Sequence, residues 1–223
     1  MSTRIPPMGR VKESPDGQRR VIQADYRTTR QNPEKVPLII ADPPYNLGLA
    51  DWDVDFDFGP LVDVIAEKLD ANGSALIFNT YDNVLALHNL AVQAGLVVQQ
   101  LLIWVKPNFP PRYVRTKGYV DKNREYILWV SRKTRPFFQL KPDERYHTGV
   151  FTYPRVVNKT TRFLFEKPAG LIDELLLRHS QPGDHILDLF AGSGIVGKRC
   201  QCWRRRYTGY ERDPETFGRI ELT

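Results

Sequence analysis

The chain has 223 residues, 41% of them hydrophobic and 26% charged, and its 32 Lys and Arg against 26 Asp and Glu give a net charge of +6. That length can bury a sizeable core in one large domain, and no apolar run approaches the roughly 20 residues of a membrane span. Cys200 and Cys202, without a second pair or a nearby His, read as incidental cytosolic thiols, and nothing in the pattern resembles a metal site.

Residues 1–20 are polar and hold Pro6, Pro7, Pro15 and Gly17, so an irregular tail is expected there, with the domain over 21–223. A short strand over 21–24 ends at Asp25, and a turn-rich link leads on to Leu38-Ile39-Ile40-Ala41. Four apolar residues in a row predict a buried strand, which Pro43-Pro44 must end. Asp42-Pro43-Pro44-Tyr45 is then presented where a strand meets a loop, the edge at which open α/β sheets bind ligands. Asp42 can accept an N–H bond, the Pro43 carbonyl can accept another, and Tyr45 offers a face for stacking. Two acceptors and a platform suit an exocyclic amine on a nucleobase.

A polar and aromatic loop, 46–58, follows. Leu61, Val62, Ile65, Ala66 and Leu69 have helical spacing, with Asn72-Gly73 as the expected stop. Then come a strand over 74–78 and a helix over 83–94 closed by Gly95, in which His88 reads as a packed or surface residue. This alternation predicts an α/β fold with a largely parallel sheet. Runs at 96–105 and 125–130 read as strands flanking a basic, proline-rich loop over 107–124. Residues 131–166 hold no helix pattern and read as an irregular or β-rich insertion. Between Trp104 and Lys167 there are 15 Lys and Arg against 5 Asp and Glu, interleaved with aromatics, the charge footprint of nucleic-acid binding. Lys106, Arg112, Arg115, Lys117 and Arg135 are the expected phosphate or base contacts.

From Pro168 the α/β pattern resumes with a helix around Leu171–Leu176, a turn at Pro182-Gly183 and a strand over 185–190. Gly192-x-Gly194-x-x-Gly197 follows that strand and opens a helix, allowing close backbone approach to a cofactor. Glu211 ends the next strand, where a carboxylate can accept both hydroxyls of a ribose. Alone, this pattern fits NAD as well as adenosyl cofactors. With twelve residues after Glu211, no second nucleotide-binding half follows, and the sequel is expected at the N-terminal side.

Asp42-Pro43-Pro44-Tyr45 early, Lys167-Pro168 later and Phe190-Ala191-Gly192-Ser193-Gly194 last resemble the amino-group DNA methyltransferases, which act on adenine N6 or cytosine N4. The catalytic motif first and the cofactor motif last is the order of their β class, and the resemblance runs over about 21–214. It implies S-adenosylmethionine as cofactor and a Rossmann-like, mostly parallel sheet with one antiparallel strand near the edge, helices on both faces and a short basic recognition insertion. It implies that Phe190, Gly192 and Gly194, with Ala191 and Ser193 of the same loop, line the cofactor. Asp188 lies at the start of that loop, Glu211 binds the ribose, Asp25 contacts the adenine, and Lys167 and Pro168 close over the methionine end. Asp42, Pro43, Pro44 and Tyr45 hold the target base, flipped out of double-stranded DNA. Asp rather than Ser before Pro-Pro-Tyr favours adenine N6. The alternatives are cytosine N4, a weaker RNA target, and a catalytically silent DNA-binding subunit.

One departure stands out. Many relatives start the strand at 125 with His-Glu, and this chain has Arg124-Glu125. The recognition region is also short, which implies a small site, relaxed specificity or help from a second subunit in a homodimer. The resemblance places the chain in the cytoplasm of a prokaryote or a phage host.

Overall fold

Strands β1 (Val11–Glu13), β2 (Arg19–Gln23), β3 (Val36–Ala41), β4 (Leu69–Asn79), β5 (Val97–Val105), β6 (Arg124–Ser131), β7 (Val150–Thr152), β8 (His185–Asp188) and β9 (Arg206–Glu211) form one sheet. Its order is β1-β2-β9-β8-β3-β4-β6-β5-β7. The structure, a computed structural model, describes residues 9–49, 53–109, 123–157, 163 and 165–222. Among the described residues five α-helices and a 3-10 turn at Tyr26–Gln31 complete it: α1 (Gly59–Lys68), α2 (Tyr81–Gln93), α3 (Ala169–His179), α4 (Ile195–Cys202) and α5 (Pro214–Arg219). The sheet is mostly parallel; β6 runs against β4 and β5, and β1 runs against β2.

Alternation along β3 sends side chains to opposite faces, as a strand repeat of two requires. Ile39 and Ala41 join α1 and α2 in one core through Leu61, Ile65, Leu87 and Ala91. Leu38 and Ile40 join Leu171, Leu175, Val196 and Phe217 of α3, α4 and α5 in the other. A strand covered on both faces is apolar throughout, which is why 38–41 reads as an uninterrupted run.

Two local expectations are corrected. Residues 11–13 of the supposed tail form β1, zipped onto β2 with Val11 opposite Ile22. Asn72-Gly73 does not stop α1, which ends at Lys68, so the chain enters β4 at once. The extra residues form a bulge, because Val36 pairs with Leu69 but Leu38 already pairs with Ser74. Gly73 fits there because a Cβ would lie 2.8 Å from the Pro37 carbonyl oxygen. The carbonyls at the end of α1 are capped instead by Arg132, whose guanidinium donates to the oxygens of Ala66 and Leu69. The expected antiparallel strand near the edge is β6, which is central to the site, and β1 adds a second at the other end of the sheet.

Candidate active site

β3 and β8 are parallel neighbours, with Ile40 level with Asp188, and the Leu189 N–H donates to the Ile40 carbonyl at 3.1 Å. From β8 the sheet continues to β9, and from β3 it continues the other way to β4. That is a switch point, where the loops leaving two adjacent strands part and open a crevice. The Asp42 turn and the glycine turn therefore emerge side by side at one carboxyl edge.

On the β3 side, the Tyr45 hydroxyl lies 2.7 Å from Asp42 Oδ1 and 3.1 Å from Glu125 Oε2. Lys167 Nζ sits 2.7 Å from Asp42 Oδ2, 3.2 Å from Glu125 Oε2 and 3.2 Å from the Tyr45 oxygen, donating to all three. Lys106 Nζ closes the chain at 2.5 Å from Glu125 Oε1. Two ammoniums thus face two carboxylates. Burial works against the Glu125 charge, but the Lys167 and Lys106 ammoniums outweigh it and hold the carboxyl below its usual range. Burial likewise opposes the Lys167 charge, and Asp42 and Glu125 override it, so the ammonium is held above its ordinary value. Burial and the two carboxylates push the Tyr45 phenol well up. Pro43 is buried and Pro44 half-buried, and among the described residues nothing donates to the Pro43 carbonyl.

The loop beyond Tyr45 is wound on a side chain that the sequence did not single out. Asp53, 2% exposed, accepts the N–H groups of Tyr45, Asn46, Leu47 and Leu49 at 2.6, 2.9, 3.1 and 3.3 Å. Asn46 takes a φ of 58°, which Asn tolerates, and exchanges two hydrogen bonds with the Phe56 backbone. Asn83 donates to the Tyr45 carbonyl at 2.8 Å. The Tyr45 backbone is held from both sides.

On the β8 side, Gly192 and Gly194 take φ values of 50° and 76°. Glu211 Oε2 accepts the Gly192 N–H at 3.0 Å, and Oε1 accepts that of Asp213 at 2.8 Å. Burial raises the Glu211 carboxyl. The Ala191 N–H donates to the Tyr210 carbonyl, and Ser193 Oγ accepts the Ile195 N–H at the start of α4. Phe190 stands in an aromatic wall, 5.1 Å from the Tyr26 ring and 5.8 Å from Phe56. Neither partner was foreseen.

Several expected contacts sit differently. Asp188 lies beneath the loop, with its oxygens taken by the Phe190 N–H at 3.1 Å and the Tyr207 hydroxyl at 3.0 Å. Burial pushes its carboxyl up to about 7. Asp25 is close to Glu211 along the sheet edge, since the Ala24 N–H donates to the Glu211 carbonyl. Its carboxylate, however, is spent on the backbone and guanidinium of Arg27. Lys167, expected over the methionine end of a cofactor, rests on Asp42 and Glu125, and Pro168 starts α3 by accepting from Leu171 and Ile172. Lys106 is not a free phosphate contact: it pairs with Glu125 and lies 4.9 Å over the Trp104 ring. Arg135 follows the end of β6, where Ser131 pairs with Ser74, whereas the site lies by Tyr126 and Asn79. At about 3.3 Å per residue that is some 17 Å away, at the opposite edge. Arg112, Arg115 and Lys117 lie outside the described residues.

Glu125 is the main site residue that sequence reasoning underused. Its signal was present, as the acid opening a strand beside a basic loop. Among the described residues, potential metal-ligand atoms also gather at Glu144, His147 and Glu174, but Arg178 forms ion pairs with both acids there. No described helix is long and apolar enough to cross a membrane.

Comparison with known proteins bears on this geometry. Residues 36–221 match the family described as DNA methylase. The chain is 27% identical to the Type II methyltransferase M1.MboII of Moraxella bovis, over 82% of this chain and 86% of the relative. It is 26% identical to the DNA adenine methyltransferase YhdJ of Escherichia coli (strain K12), over 82% of this chain and 74% of the relative. Among solved structures, the M1.HpyAVI-SAM complex superposes with a TM-score of 0.76 at 27% identity, covering 90% of this chain and 96% of the other. The cytosine-N4-specific PvuII DNA methyltransferase reaches the same TM-score, 0.76, at 17% identity, over 89% and 83% of the two chains, a likeness of fold alone.

Proposed function

This chain belongs to the DNA methylase family, and on that footing we propose that it methylates N6 of an adenine flipped out of double-stranded DNA. Its activity is S-adenosylmethionine-dependent DNA methylation. The observation that carries transfer to an amine held at Asp42 is the pairing of β3 with β8, which opens the Asp42 and Gly192 turns onto one crevice. The residues of the glycine turn suit the cofactor. Gly192 presents bare backbone, Gly194 lets Ile220 pack against the turn, Glu211 is a carboxylate beside them for ribose hydroxyls, and Phe190 and Tyr26 offer an aromatic wall. Lys167 and Pro168 close the crevice from the α3 side.

When bound, the cofactor supplies an electrophilic methyl group on a sulfonium. The chain's part is to hold the acceptor. An exocyclic amine conjugated to its ring is a poor nucleophile; accepting both of its protons, on Asp42 and on the Pro43 carbonyl, draws the nitrogen toward tetrahedral geometry and frees its lone pair. The Tyr45 ring supports the flipped base. Alignment alone can supply on the order of 7–11 kcal/mol of barrier reduction at best. Adenine is favoured over cytosine because Asp42 stands where cytosine enzymes more often carry Ser, and the YhdJ relative, named an adenine methyltransferase, agrees. The basic stretch around Arg112, Arg115 and Lys117 tracks phosphates. A homodimer supplies the recognition surface that the short insertion lacks, and the chain works in a prokaryotic or phage-infected cytoplasm.

The test is methylation of plain DNA with labelled cofactor, followed by digestion to nucleosides. N6-methyladenine is the expected product. N4-methylcytosine would overturn the choice of base, and retained salt-sensitive DNA binding without transfer would assign a silent subunit.

A further inference from the structure

We propose that Lys167 is a gate on Asp42, which the target amine opens by sending its ammonium across to Glu125. This rests on the reading that Asp42 grips the amine. Both Asp42 oxygens are already engaged, Oδ1 with the Tyr45 hydroxyl and Oδ2 with Lys167, each at 2.7 Å. Each carboxylate oxygen can accept a second hydrogen bond, as those of Asp53 do, but an amine that shares Oδ2 with Lys167 sets its N–H against a full positive charge, so it takes that oxygen fully only when the ammonium moves off. The Asp42 side chain is 30% exposed while those of Lys167 and Glu125 are 8% and 15%, so the base meets Asp42 first, with the lysine and Glu125 behind it.

A neutral amine does not displace a buried ammonium that has nowhere to go, because an unpaired charge in such a place costs several kcal/mol. Here a second seat is prepared. Glu125 Oε2 lies 3.2 Å from Lys167 Nζ, so a shift of under an ångström completes a full ion pair there. Glu125 itself cannot follow the amine, since its other oxygen is pinned by Lys106, which rests over Trp104. After the shift every charge keeps a partner. Asp42 gains the amine and Lys167 holds Glu125. The Tyr45 hydroxyl, within reach of both carboxylates, bridges the two arrangements. A lysine fixed on Asp42 would block the base.

The test compares two duplexes identical except that one carries adenine at the target position and the other purine, which lacks the amine. The target position comes from sequencing methylated DNA in cells expressing the chain. Equilibrium binding is measured at pH 8 with S-adenosylhomocysteine present, and the ratio of the two affinities isolates the amine, because phosphate contacts and folding effects cancel. Lys167→Met should widen the adenine-over-purine ratio roughly tenfold, the scale of one hydrogen bond to a charged group. Glu125→Gln should narrow the ratio toward one, since it removes the second seat and leaves Lys167 on Asp42. Should Lys167→Met fail to fold, Lys167→Gln takes its place. A ratio that is unchanged or narrowed in the Lys167 variant overturns the gate, even while wild-type methylation upholds the wider reading; absence of any methylated DNA overturns both.

Discussion

Asp42 and Glu211 are asked for different things, and single substitutions separate them. Asp42→Ala removes the acceptor for the amine along with a partner of Tyr45 and Lys167, so methyl transfer should fall by on the order of 10²–10³ or more. Cofactor affinity should stay within about threefold, because Asp42 lies on the other wall of the crevice. Isothermal titration beside a transfer assay checks both, and loss of cofactor binding would show that the role is misassigned. Asp188 gives a pH signature. Its folded carboxyl is pushed up to about 7 by burial, so the folded chain keeps a proton that the unfolded chain gives up near the ordinary carboxylate value. Stability from this residue is full below that value and is lost as pH rises toward about 7. Asp188→Asn should flatten the decline between pH 5 and 8 in thermal melts; parallel curves would contradict it. At this scale the sequence could single out residues whose type alone suggests a chemistry, namely Asp42 to Tyr45, the glycines and Glu211, and the β3–β8 pairing sets their two turns side by side. Glu125 and the true partners of Lys167 were not, because Tyr45 meets them across 80 and 122 positions of chain, and nothing local records such a contact.

The stretch from Tyr45 to Leu49 behaves as one element because Asp53 gathers four of its N–H groups. Asp53→Ala should cost about 2–4 kcal/mol in denaturant unfolding, the scale of stranded buried donors, and should lower turnover because the Tyr45 backbone loosens. Asp53→Asn, which still accepts, should recover part of both. An Ala variant as stable and active as wild type would remove the loop's supposed anchor. The basic stretch makes a separate prediction. Replacing Arg112, Arg115 and Lys117 together with Gln should flatten the slope of log affinity against log salt by up to about three, with little change in sequence preference. An unchanged slope would mean that these side chains do not reach phosphates. Elements with a strong period or an unbroken apolar run were legible: β3, α2 and the strand before the glycine turn lie within two residues of expectation, and α3 contains the residues expected to mark it. The end of α1 was missed because its cap, Arg132, comes from the far end of β6. The first strand was missed because three residues with one apolar side chain carry no period.

Over the whole molecule, the rhythm of strands and helices announced a parallel α/β sheet, but the order of strands could not be read from it. That the strand before Asp42 lies against the strand before Phe190 depends on pairing segments about 150 residues apart, and only family likeness hinted at it. The pairing is also what makes the rest of the site meaningful, since it brings the two turns to one edge. It is tested most directly by a crystal structure of the chain with S-adenosylhomocysteine and a duplex carrying its target. The expected result is a flipped adenine bonded through N6 to Asp42 and the Pro43 carbonyl, with the cofactor sulfur in line behind it. Allowing for the absent methyl, the reacting atoms should then fall about 3–3.5 Å apart. A cofactor seated away from the Gly192 turn, or a base held on any other edge of the sheet, would contradict it.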